Sequence, residues 1–341
     1  MKAVAYYQSL PSSDPQSLQD IELPAPTPGP RDLLVQVRAI SVNPVDTKIR
    51  SNVAPTDGQA KVLGWDVAGV VQAVGSEVSL FQVGDEVFYA GALQRQGGNS
   101  ELHLVDERIV GHKPRSLGFA EAAALPLTAI TAWEMLFHRL GLPRDASDRK
   151  GGEGRSLLIV GGAGGVGSIA IQLARQLTNM EVIATASRPE SREWCLAMGA
   201  HQVVSHHQLQ AELTALGVTQ LDAIFCTNAT EQHWDAMASL IRPFGHICTI
   251  AESSEPWDLG LLKSKSVTFS QEFMFTRSLF QTPDMIEQHN LLNRVAELID
   301  AGTLKTTLGE HFGVINAANL RRAHALLESG KAKGKIVLEG F

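Results

Sequence analysis

A glycine-rich turn between an apolar run and a helix-like segment is the feature that most limits how this chain can fold. Residues 157–160 read LLIV, residues 161–167 read GGAGGVG, and SIAIQLARQL follows. The spacing Gly162-x-Gly164-x-x-Gly167 permits a tight strand-to-helix turn at the first glycine, approach of a pyrophosphate at the second and close helix–strand packing at the third. The N–H groups at the helix start then face the anion. The pattern predicts a dinucleotide-binding loop, with these binding residues: Gly162, Ala163, Gly164, Gly165, Val166 and Gly167.

The end of the next predicted strand indicates which nicotinamide cofactor is bound. An NAD site usually has Asp or Glu about 20 residues on, where it accepts from the ribose 2′-hydroxyl. Here the strand at 181–186 is followed by Ser187 and Arg188. A hydroxyl and a guanidinium suit a 2′-phosphate, which a carboxylate would repel. We therefore expect NADPH rather than NADH. Two alternatives stay open: Arg188 is an ordinary loop residue, or Arg192 takes its place.

Composition narrows the class of protein. The chain has 341 residues, 44% of them hydrophobic, and a formal net charge of −7. This length suits two domains, and this charge gives no general attraction for nucleic acid or an anionic membrane. We see no signal-peptide pattern in MKAVAYYQSLPSSD and no long apolar span, so we expect a cytoplasmic location. The three cysteines, Cys195, Cys226 and Cys248, lack metal or disulfide spacing and are expected to be buried.

The apolar pattern changes along the chain. Residues 1 to about 125 are β-rich, with predicted strands at 33–39, 67–74 and 86–89. A predicted helix, TAITAWEMLFHRL, and a charged glycine-rich loop at 141–155 follow. Strands then alternate with helices, at 157–160, 181–186, 221–226, 246–251 and 266–271, as in a parallel doubly wound sheet. A helix at about 284–301 precedes GKIVLEGF, an apolar terminal strand expected to return to the first domain.

Six segments together resemble one known family. They are SVNPVDTKIR (41–50), GWDVAGVVQAVGSEV (64–78), VGDEVF (83–88), LPLTAITAWEML (125–136), the glycine loop and GKIVL (334–338). They resemble the medium-chain dehydrogenase/reductases, and within them the quinone oxidoreductases and the zinc-type alcohol dehydrogenase-like proteins. The resemblance covers essentially the whole chain. It implies an α/β protein with a GroES-like β-rich catalytic domain at 1–125 and 273–341, a Rossmann NADP-binding domain at 126–272, and an active site in the cleft between them.

Zinc is not expected despite that family name. Zinc-containing members carry a GHE-type signature, and the matching triplet here is Gly64-Trp65-Asp66. An indole does not bind Zn²⁺. The first metal-binding cysteine of those enzymes falls at Asn43, and their four-cysteine zinc loop is absent. Catalytic zinc needs three ligands from His, Cys or carboxylate groups. A metal at His206 and His207 is also not expected, since such a pair is usually part of a polar loop.

Without a Lewis acid the hydride acceptor must already be electron-poor. Quinones and α,β-unsaturated carbonyls qualify, because added hydride places charge on an oxygen that hydrogen-bond donors stabilise. This is the chemistry that the resemblance implies. In the resembling family the segment matching 43–50 lines the cleft near the nicotinamide, so the catalytic candidates are Asn43, Asp46 and Lys48. Asn43 is either a donor to the acceptor oxygen or a turn residue, Lys48 a proton donor or a surface lysine, and Asp46 an orienting group or the cap of a helix starting near Thr47.

Further cofactor contacts follow from the resemblance and from the positions of the strand ends. By resemblance, Thr128 lies beside the nicotinamide and His206 near the adenosine, unless it is an ordinary loop histidine. Cys226, Ile250 and Phe273 lie near the ends of successive predicted strands, where ligands of open α/β sheets bind. Lys335 faces either cofactor or solvent. Phe273, Met274, Phe275 and Phe280 suggest an apolar wall or a dimer interface, and the resemblance implies a homodimer.

Three functions fit the sequence. The first is a zinc-independent NADPH-dependent reductase of a small electron-poor molecule. The second is a zinc-type alcohol dehydrogenase, which Trp65 opposes. The third is a non-catalytic NADPH-binding protein, since a fold alone does not establish a function.

Overall fold

The computed structural model describes residues 1–142, 154–253 and 255–341. Apolar alternation and β-branched runs form the strands. They are β1 Lys2–Tyr6, β2 Gln19–Glu22, β3 Asp32–Val42, β4 Lys61–Val62, β5 Val67–Val74, β6 Glu86–Tyr89, β7 Leu102–Asp106, β8 Val110–His112, β9 Ser156–Val160, β10 Glu181–Thr185, β11 Gln202–Val204, β12 Leu221–Cys226, β13 Ile241–Thr249, β14 Thr268–Gln271, β15 Leu308–His311 and β16 Lys335–Glu339.

The helices are short and lie mainly between the strands of the second half. They are α1 Pro44–Asn52, α2 Phe119–Ala123, α3 Pro126–Trp133, α4 Gly165–Leu177, α5 Pro189–Ala197, α6 Leu209–Ala215, α7 Thr230–Leu240, α8 Gly260–Lys263, α9 Thr276–Phe280, α10 Glu287–Asp300 and α11 Ala317–Glu328. The predicted helix at 128–140 corresponds to α3, which continues as a π-helix over Glu134–Arg139. There the N–H of Leu140 donates to the carbonyl of Met135 at 2.9 Å, a wider ring than the α-helical one.

The chain divides into two compact units. The first comprises Met1–Ile130 and Phe275–Phe341, and the second Thr131–Met274. The boundaries expected from the sequence, after residues 125 and 272, lie a few residues away.

The first unit is built on a seven-stranded sheet in the order β15-β16-β3-β5-β6-β8, with β7 also paired to β3, and a three-stranded sheet β2-β1-β4, as far as the described residues show. Strand β3 alternates half-buried and buried residues along its first half, which is the period expected of a strand with one face on a core. Strand β16 pairs antiparallel with β3, with Ile336 opposite Val42. The predicted return of the terminal strand to the first domain is therefore confirmed.

The second unit contains the predicted doubly wound sheet. Six strands lie in the order β11-β10-β9-β12-β13-β14 within the described part of the chain, and all neighbouring pairs are parallel. The predicted strands at 157–160, 181–186 and 221–226 are confirmed, and those at 246–251 and 266–271 overlap β13 and β14. Strand β11, which has three residues, directly precedes Ser205 and the pair His206 and His207, and is too short to show a period of its own.

Candidate functional site

The turn from β9 into α4 is made by a different glycine from the one expected. Gly161 has φ of +82°, in the left-handed region that favours glycine. The prediction that Gly162 permits the tight turn is therefore corrected to Gly161. Thr185, the last residue of β10, anchors the loop. The N–H of Gly161 donates to the Thr185 hydroxyl at 3.0 Å, and the N–H of Gly162 donates to the Thr185 carbonyl at 3.1 Å.

Gly162 and Gly167 are required by packing. A Cβ on Gly162 would lie 2.7 Å from the Cβ of Ala184, and one on Gly167 would lie 2.4 Å from the carbonyl oxygen of Gly161. Such distances leave no room for a side chain. Gly167 therefore lets the start of α4 pack closely on the loop that follows β9.

One side of the Cα of Gly164 is open, with no atom of the described residues close to it. It caps helix α4 with φ −71° and ψ 171°, which any residue can adopt. A Cβ there would come no nearer than 3.5 Å to a protein atom, the carbonyl oxygen of Gly161. Helix α4 begins at the next residue, so the N–H groups of Gly165, Val166 and Gly167 have no partner within the helix. The open side of Gly164 and these donors together fit an approaching anion such as a pyrophosphate.

The two residues expected at the 2′-position follow β10. Ser187 is exposed. The side chain of Arg188 is 37% exposed, and its Nε lies 3.4 Å from the hydroxyl of Ser191 and 3.3 Å from the carboxylate of Glu190. The side chain of Glu190 is itself 58% exposed. Arg188 therefore lies on an accessible edge, beside the solvated carboxylate of Glu190.

Arg192, the alternative to Arg188, joins two backbone segments through hydrogen bonds from its guanidinium. Its guanidinium donates to the carbonyl of Ala186 at 3.2 Å and to that of Val203 at 2.6 Å. Ala186 follows β10 and Val203 lies in β11, so Arg192 fastens the ends of two neighbouring strands. The side chain of Arg192 is 38% exposed, about as much as that of Arg188, but it is bonded to backbone, whereas Arg188 contacts the side chains of Ser191 and Glu190.

The remaining predicted cofactor residues of the second unit lie at the carboxyl ends of its parallel strands. His206 begins a short 3₁₀ turn after β11, beside His207 at a ring-centroid distance of 4.1 Å. Burial and the charge of His207 lower the pKa of His206. Cys226 ends β12, where its thiol donates to the carbonyl of Asn228 at 3.2 Å and burial raises its pKa to about 11. Ile250 follows β13, and Phe273, 47% exposed, follows β14.

In the first unit, helix α1 starts earlier than expected. It begins at Pro44 with Asn43 as its cap, so the prediction that Asp46 caps a helix starting near Thr47 is wrong. Asp46 is the third helical residue, and its carboxylate accepts from the N–H of Asn43 at 2.7 Å. Proline in the first turn explains the earlier start, because its fixed φ suits a helix and its missing N–H costs no bond there. Lys48 lies on the exposed face of the same helix.

The side chain of Asn43 turns away from the helix toward Asp66, which is fully buried. The amide of Asn43 donates to Asp66 Oδ2 at 2.8 Å and to the carbonyl of Trp65 at 3.1 Å. The other carboxylate oxygen of Asp66 accepts from the N–H of Leu127 at 2.7 Å. Both amide hydrogens of Asn43 therefore have protein partners, and its predicted role as a donor to an acceptor oxygen stays a prediction.

Lys335 completes this group. Its ammonium is 2.9 Å from Asp66 Oδ2, and it also donates to Asn43 Oδ1 and, at 3.1 Å, to the carbonyl of Val42. Lys335 is 3% exposed, so it does not face solvent. We call Asn43, Asp66 and Lys335 the Asp66 centre. The sequence held a signal for it, because a lysine and an aspartate each lie within an otherwise apolar strand segment, KIVL and DVAGVV.

Two buried carboxyls share the charge of this one ammonium. Burial raises the pKa of Asp66, and Lys335 opposes that rise. Burial raises the pKa of Asp46 to about 7, with Lys335 again opposing it and Asp66 adding to it. Asp46 Oδ1 is buried without a hydrogen-bond partner. Burial therefore brings the pKa of Asp46 close to neutral, while Asp66 has donors on both of its oxygens.

Thr128 follows Leu127 in helix α3. Its hydroxyl donates to the carbonyl of Leu125 at 3.0 Å, and the residue is 2% exposed. Among the aromatic and apolar residues expected to form a wall, Met274 and Phe275 are 4% and 3% exposed, whereas Phe280 is 72% exposed. The four residues thus divide between core and surface.

The side chains at the positions of the zinc signature do not match a zinc donor set. The indole of Trp65 donates to the carbonyl of Ala92 at 3.4 Å and packs edge-on against Phe275, with ring centroids 6.5 Å apart. Asn43 offers an amide, and the carboxylate of Asp66 already holds an ammonium. Zn²⁺ sites use imidazole, thiolate and carboxylate ligands. Residues 1–142, 154–253 and 255–341 contain no group of three His, Cys, Asp or Glu side chains arranged to hold a metal.

No helix in the described ranges is long and apolar enough to cross a membrane.

Comparisons with known proteins agree with this architecture. Residues 29–134 match the alcohol dehydrogenase GroES-like domain, and residues 198–338 match the zinc-binding dehydrogenase family. The chain is 41% identical over 339 residues to a zinc-type alcohol dehydrogenase-like protein of Staphylococcus epidermidis, covering 99% of each. It is 31% identical over 330 residues to a quinone oxidoreductase of Pseudomonas aeruginosa, covering 95% of this chain and 96% of the other.

Two solved structures extend the comparison. A Rhizobium etli protein described as a candidate zinc-dependent alcohol dehydrogenase is 55% identical with a TM-score of 0.94, and the match covers 100% of this chain and 98% of that one. The Escherichia coli quinone oxidoreductase complexed with NADPH is 25% identical with a TM-score of 0.83, covering 99% and 100%.

A GroES-like domain and a doubly wound sheet with a glycine-rich phosphate loop define a class of nicotinamide-dependent oxidoreductases. The chain belongs to the medium-chain dehydrogenase/reductase family, as the resemblance implied.

Proposed function

We propose that this chain is a zinc-independent, NADPH-dependent reductase of quinones or α,β-unsaturated carbonyls. The observation that carries the proposal is the Asp66 centre. The carboxylate in the zinc-signature segment is bonded to Lys335, Asn43 and the N–H of Leu127, and its neighbour is the indole of Trp65. An internal ammonium satisfies this carboxylate, so the segment offers no ligand set for a Lewis acid.

The glycine loop and the end of β10 are the parts that would hold the cofactor. The open side of Gly164 and the first-turn N–H groups of α4 suit the pyrophosphate, and Ser187 with Arg188 suits a 2′-phosphate. When bound, NADPH supplies hydride. The Escherichia coli quinone oxidoreductase, which was solved with NADPH, supports this choice of cofactor. We place His206, Cys226, Ile250 and Phe273 along the same ligand edge, and Thr128 beside the nicotinamide.

The site offers hydrogen-bond donors and a cation in place of a metal, and this favours an electron-poor acceptor. Without a metal, the charge that develops on the acceptor oxygen must be met by hydrogen-bond donors or a cation. Lys48 is the exposed cation of helix α1, and Asp46, whose pKa burial raises to about 7, lies in the same helix. We propose that hydride from NADPH adds to the conjugated carbon, that Lys48 stabilises the oxyanion so formed, and that this oxyanion or its enolate carbon takes a proton from solvent. Asn43 and Asp46 would orient the helix that carries Lys48.

A zinc dehydrogenase is the second candidate, because relatives and one solved structure carry zinc in their descriptions. The two candidates differ in what they reduce. A Lewis acid activates a simple carbonyl, whereas a metal-free site needs a conjugated one.

The test is NADPH oxidation by chelator-treated protein with an ortho-quinone, an alkyl enone and a simple aldehyde, repeated with NADH. Reduction of quinone or enone without metal, faster with NADPH, is the expected result. Activity on the aldehyde alone that disappears on chelation would establish the zinc dehydrogenase instead. Saturable NADPH binding with no turnover of any acceptor would point to a binding protein. We also propose that the protein is a homodimer. Light scattering would measure its mass in solution directly.

A further inference from the structure

One carboxylate in the first unit bonds to three separate elements, two of which carry proposed site residues. Asp66 bonds to Asn43 at the start of α1, to the N–H of Leu127 in the first turn of α3, and to Lys335 in β16. We propose that Asp66 is a positioning residue: its carboxylate, neutralised by Lys335, sets helices α1 and α3 in register with each other, and thereby places Lys48 and Thr128. The inference rests on the proposed function and deepens it.

The link to α1 runs through its cap. The side chain of Asn43 is 1% exposed, and its amide is fixed on both sides, by Asp66 Oδ2 at 2.8 Å and by the ammonium of Lys335 on Oδ1. A cap residue held in this way fixes the direction in which the helix leaves the strand. Because Lys48 lies in the second turn of α1, the direction of the helix decides where its ammonium goes.

The link to α3 is direct. The N–H of Leu127 is among the first-turn donors that have no partner within the helix, and Asp66 Oδ1 accepts from it at 2.7 Å. A negative charge at this end is also favoured by the helix dipole. The backbone of Thr128 is therefore held one residue from a fixed point.

Lys335 neutralises the buried carboxylate of Asp66 and completes the hydrogen bonds of the Asp66 centre. Its three protons have three acceptors, Asp66 Oδ2, Asn43 Oδ1 and the carbonyl of Val42. A buried carboxylate without a partner would be protonated or would draw in water. The polar atoms of the Asp66 centre are bonded to one another and to backbone groups, so we expect these side chains to act through the helices and not by touching the acceptor.

The main test is Asp66→Asn, compared with Asp32→Asn as a matched control. Asp32 is also an ion-paired aspartate of the first unit that accepts from a backbone N–H, but it begins β3, whereas Asn43 follows the end of that strand. For Asp66→Asn we expect kcat to fall by about 100-fold, as misplacement by 1 Å can cause, with a small change in acceptor KM. NADPH affinity should fall by at most about ten-fold, the scale of one hydrogen bond, because the change displaces Thr128 while the glycine loop belongs to the other unit. Asp32→Asn should lower Tm and leave kcat unchanged.

Lys335→Met and the double variant Asp66→Asn/Lys335→Met separate positioning from folding. The double variant removes both buried charges, so it should regain Tm relative to either single change while kcat stays low. Recovery of kcat together with Tm would overturn the proposal, because the centre would then matter only for stability. An Asp66→Asn protein with unchanged kcat would also overturn it.

Amide hydrogen exchange tests the same idea without turnover. In Asp66→Asn, exchange should accelerate over residues 44–52 and in the first turn of α3, and neither change should occur in Asp32→Asn. If the unaltered protein reduces none of the acceptors, the proposed function fails, and exchange alone decides the positioning: faster exchange in both helices supports it, and unchanged exchange in either overturns it.

Discussion

The glycine loop and the Asp66 centre are both proposed to serve one reaction, yet they are built in opposite ways. The loop occupies consecutive residues, 161–167, and works through backbone atoms. The Asp66 centre joins residues that are 269 and 292 positions apart in the chain and works through charged side chains. A backbone device leaves a local glycine pattern in the sequence, because it needs missing side chains at fixed spacing. A side-chain device leaves single residues whose partners are set by the tertiary fold.

The two regions also differ in what a substitution should damage. At Gly162 and Gly167 of the loop, an added Cβ would lie within 3 Å of other atoms, so the cost of a side chain is steric. In the centre, Asp66 and Lys335 are a buried ion pair, so the cost of changing one of them is electrostatic. Substitutions of matched size in each region therefore test whether this distinction holds.

The largest effect should come from Gly167→Val, with Gly164→Ala as its counterpart. A Cβ at 167 would lie 2.4 Å from a backbone oxygen and 2.7 Å from a backbone carbon, and neither atom can move freely. We expect a loss of about 4 kcal/mol or more in the free energy of unfolding, measured by urea denaturation. Gly164→Ala should cost less than about 1 kcal/mol but weaken NADPH binding at least about ten-fold. Equal losses of stability in the two variants would contradict the assignment.

The next effect concerns Asp46 and has a defined pH window. Burial raises its pKa from 3.8 to about 7. Between those values the folded protein keeps a proton that the unfolded chain has lost, so its stability falls as pH rises from about 4 to 7 and then levels off. Asp46→Asn, which can still accept from the N–H of Asn43, removes this penalty. Relative to the unaltered protein, its free energy of unfolding should gain about 3 kcal/mol across the window, on the scale of about 1.4 kcal/mol per unit.

Asp32→Asn is the control with the opposite sign. Arg95 lowers the pKa of Asp32, so this carboxylate stabilises the fold above its ordinary pKa, and the stabilisation is lost as pH falls. Asp32→Asn should therefore be less stable than the unaltered protein at pH 7 and approach it at low pH. Stability curves of Asp46→Asn and the unaltered protein that run parallel from pH 4 to 8 would disprove the ionisation of Asp46 in this range.

Much of the fold was predictable because its signals are local. The glycine loop, the alternation of strands and helices and the terminal strand each show a spacing within about ten residues. Lys335 and Asp66 stand out singly in apolar segments, but that they are partners was not predictable, because their pairing depends on strand register. Pairing of Ile336 with Val42 places Lys335 beside Asn43, and no local pattern in either strand specifies that pairing. The error over Asp46 has the same origin, since its bond to the N–H of Asn43 only becomes visible once the start of α1 is known.

Substitution of Arg188, which follows β10 near the glycine loop, should have a smaller effect, and this effect should be on cofactor affinity. Arg188→Ala should weaken NADPH binding by about 10- to 100-fold, the range of one or two charge-assisted hydrogen bonds, and leave NADH binding unchanged. Arg192→Ala is the comparison, because this guanidinium already donates to the carbonyls of Ala186 and Val203. It should lower Tm without changing the NADPH to NADH preference. Fluorescence titration of both cofactors measures the four affinities, and a preference changed only by Arg192→Ala would reverse the assignment.

The smallest effect tests whether the first unit is sensitive to the charge of a buried pair or only to its burial. Tyr89 and His103 form a second buried pair in the first unit, with the phenol oxygen 3.0 Å from Nδ1 and Nε2 2.9 Å from the carbonyl of Gln96. Because a carbonyl only accepts, Nε2 carries the proton and Nδ1 accepts from Tyr89; burial lowers the pKa of His103 to about 4, so the ring is neutral at pH 7. Tyr89→Phe should cost about 1 kcal/mol in the free energy of unfolding, against no change for the same substitution at the exposed Tyr7. A cost as large as that of breaking the Asp66 centre would mean that burial of a polar pair, and not its charge, sets the sensitivity of this unit.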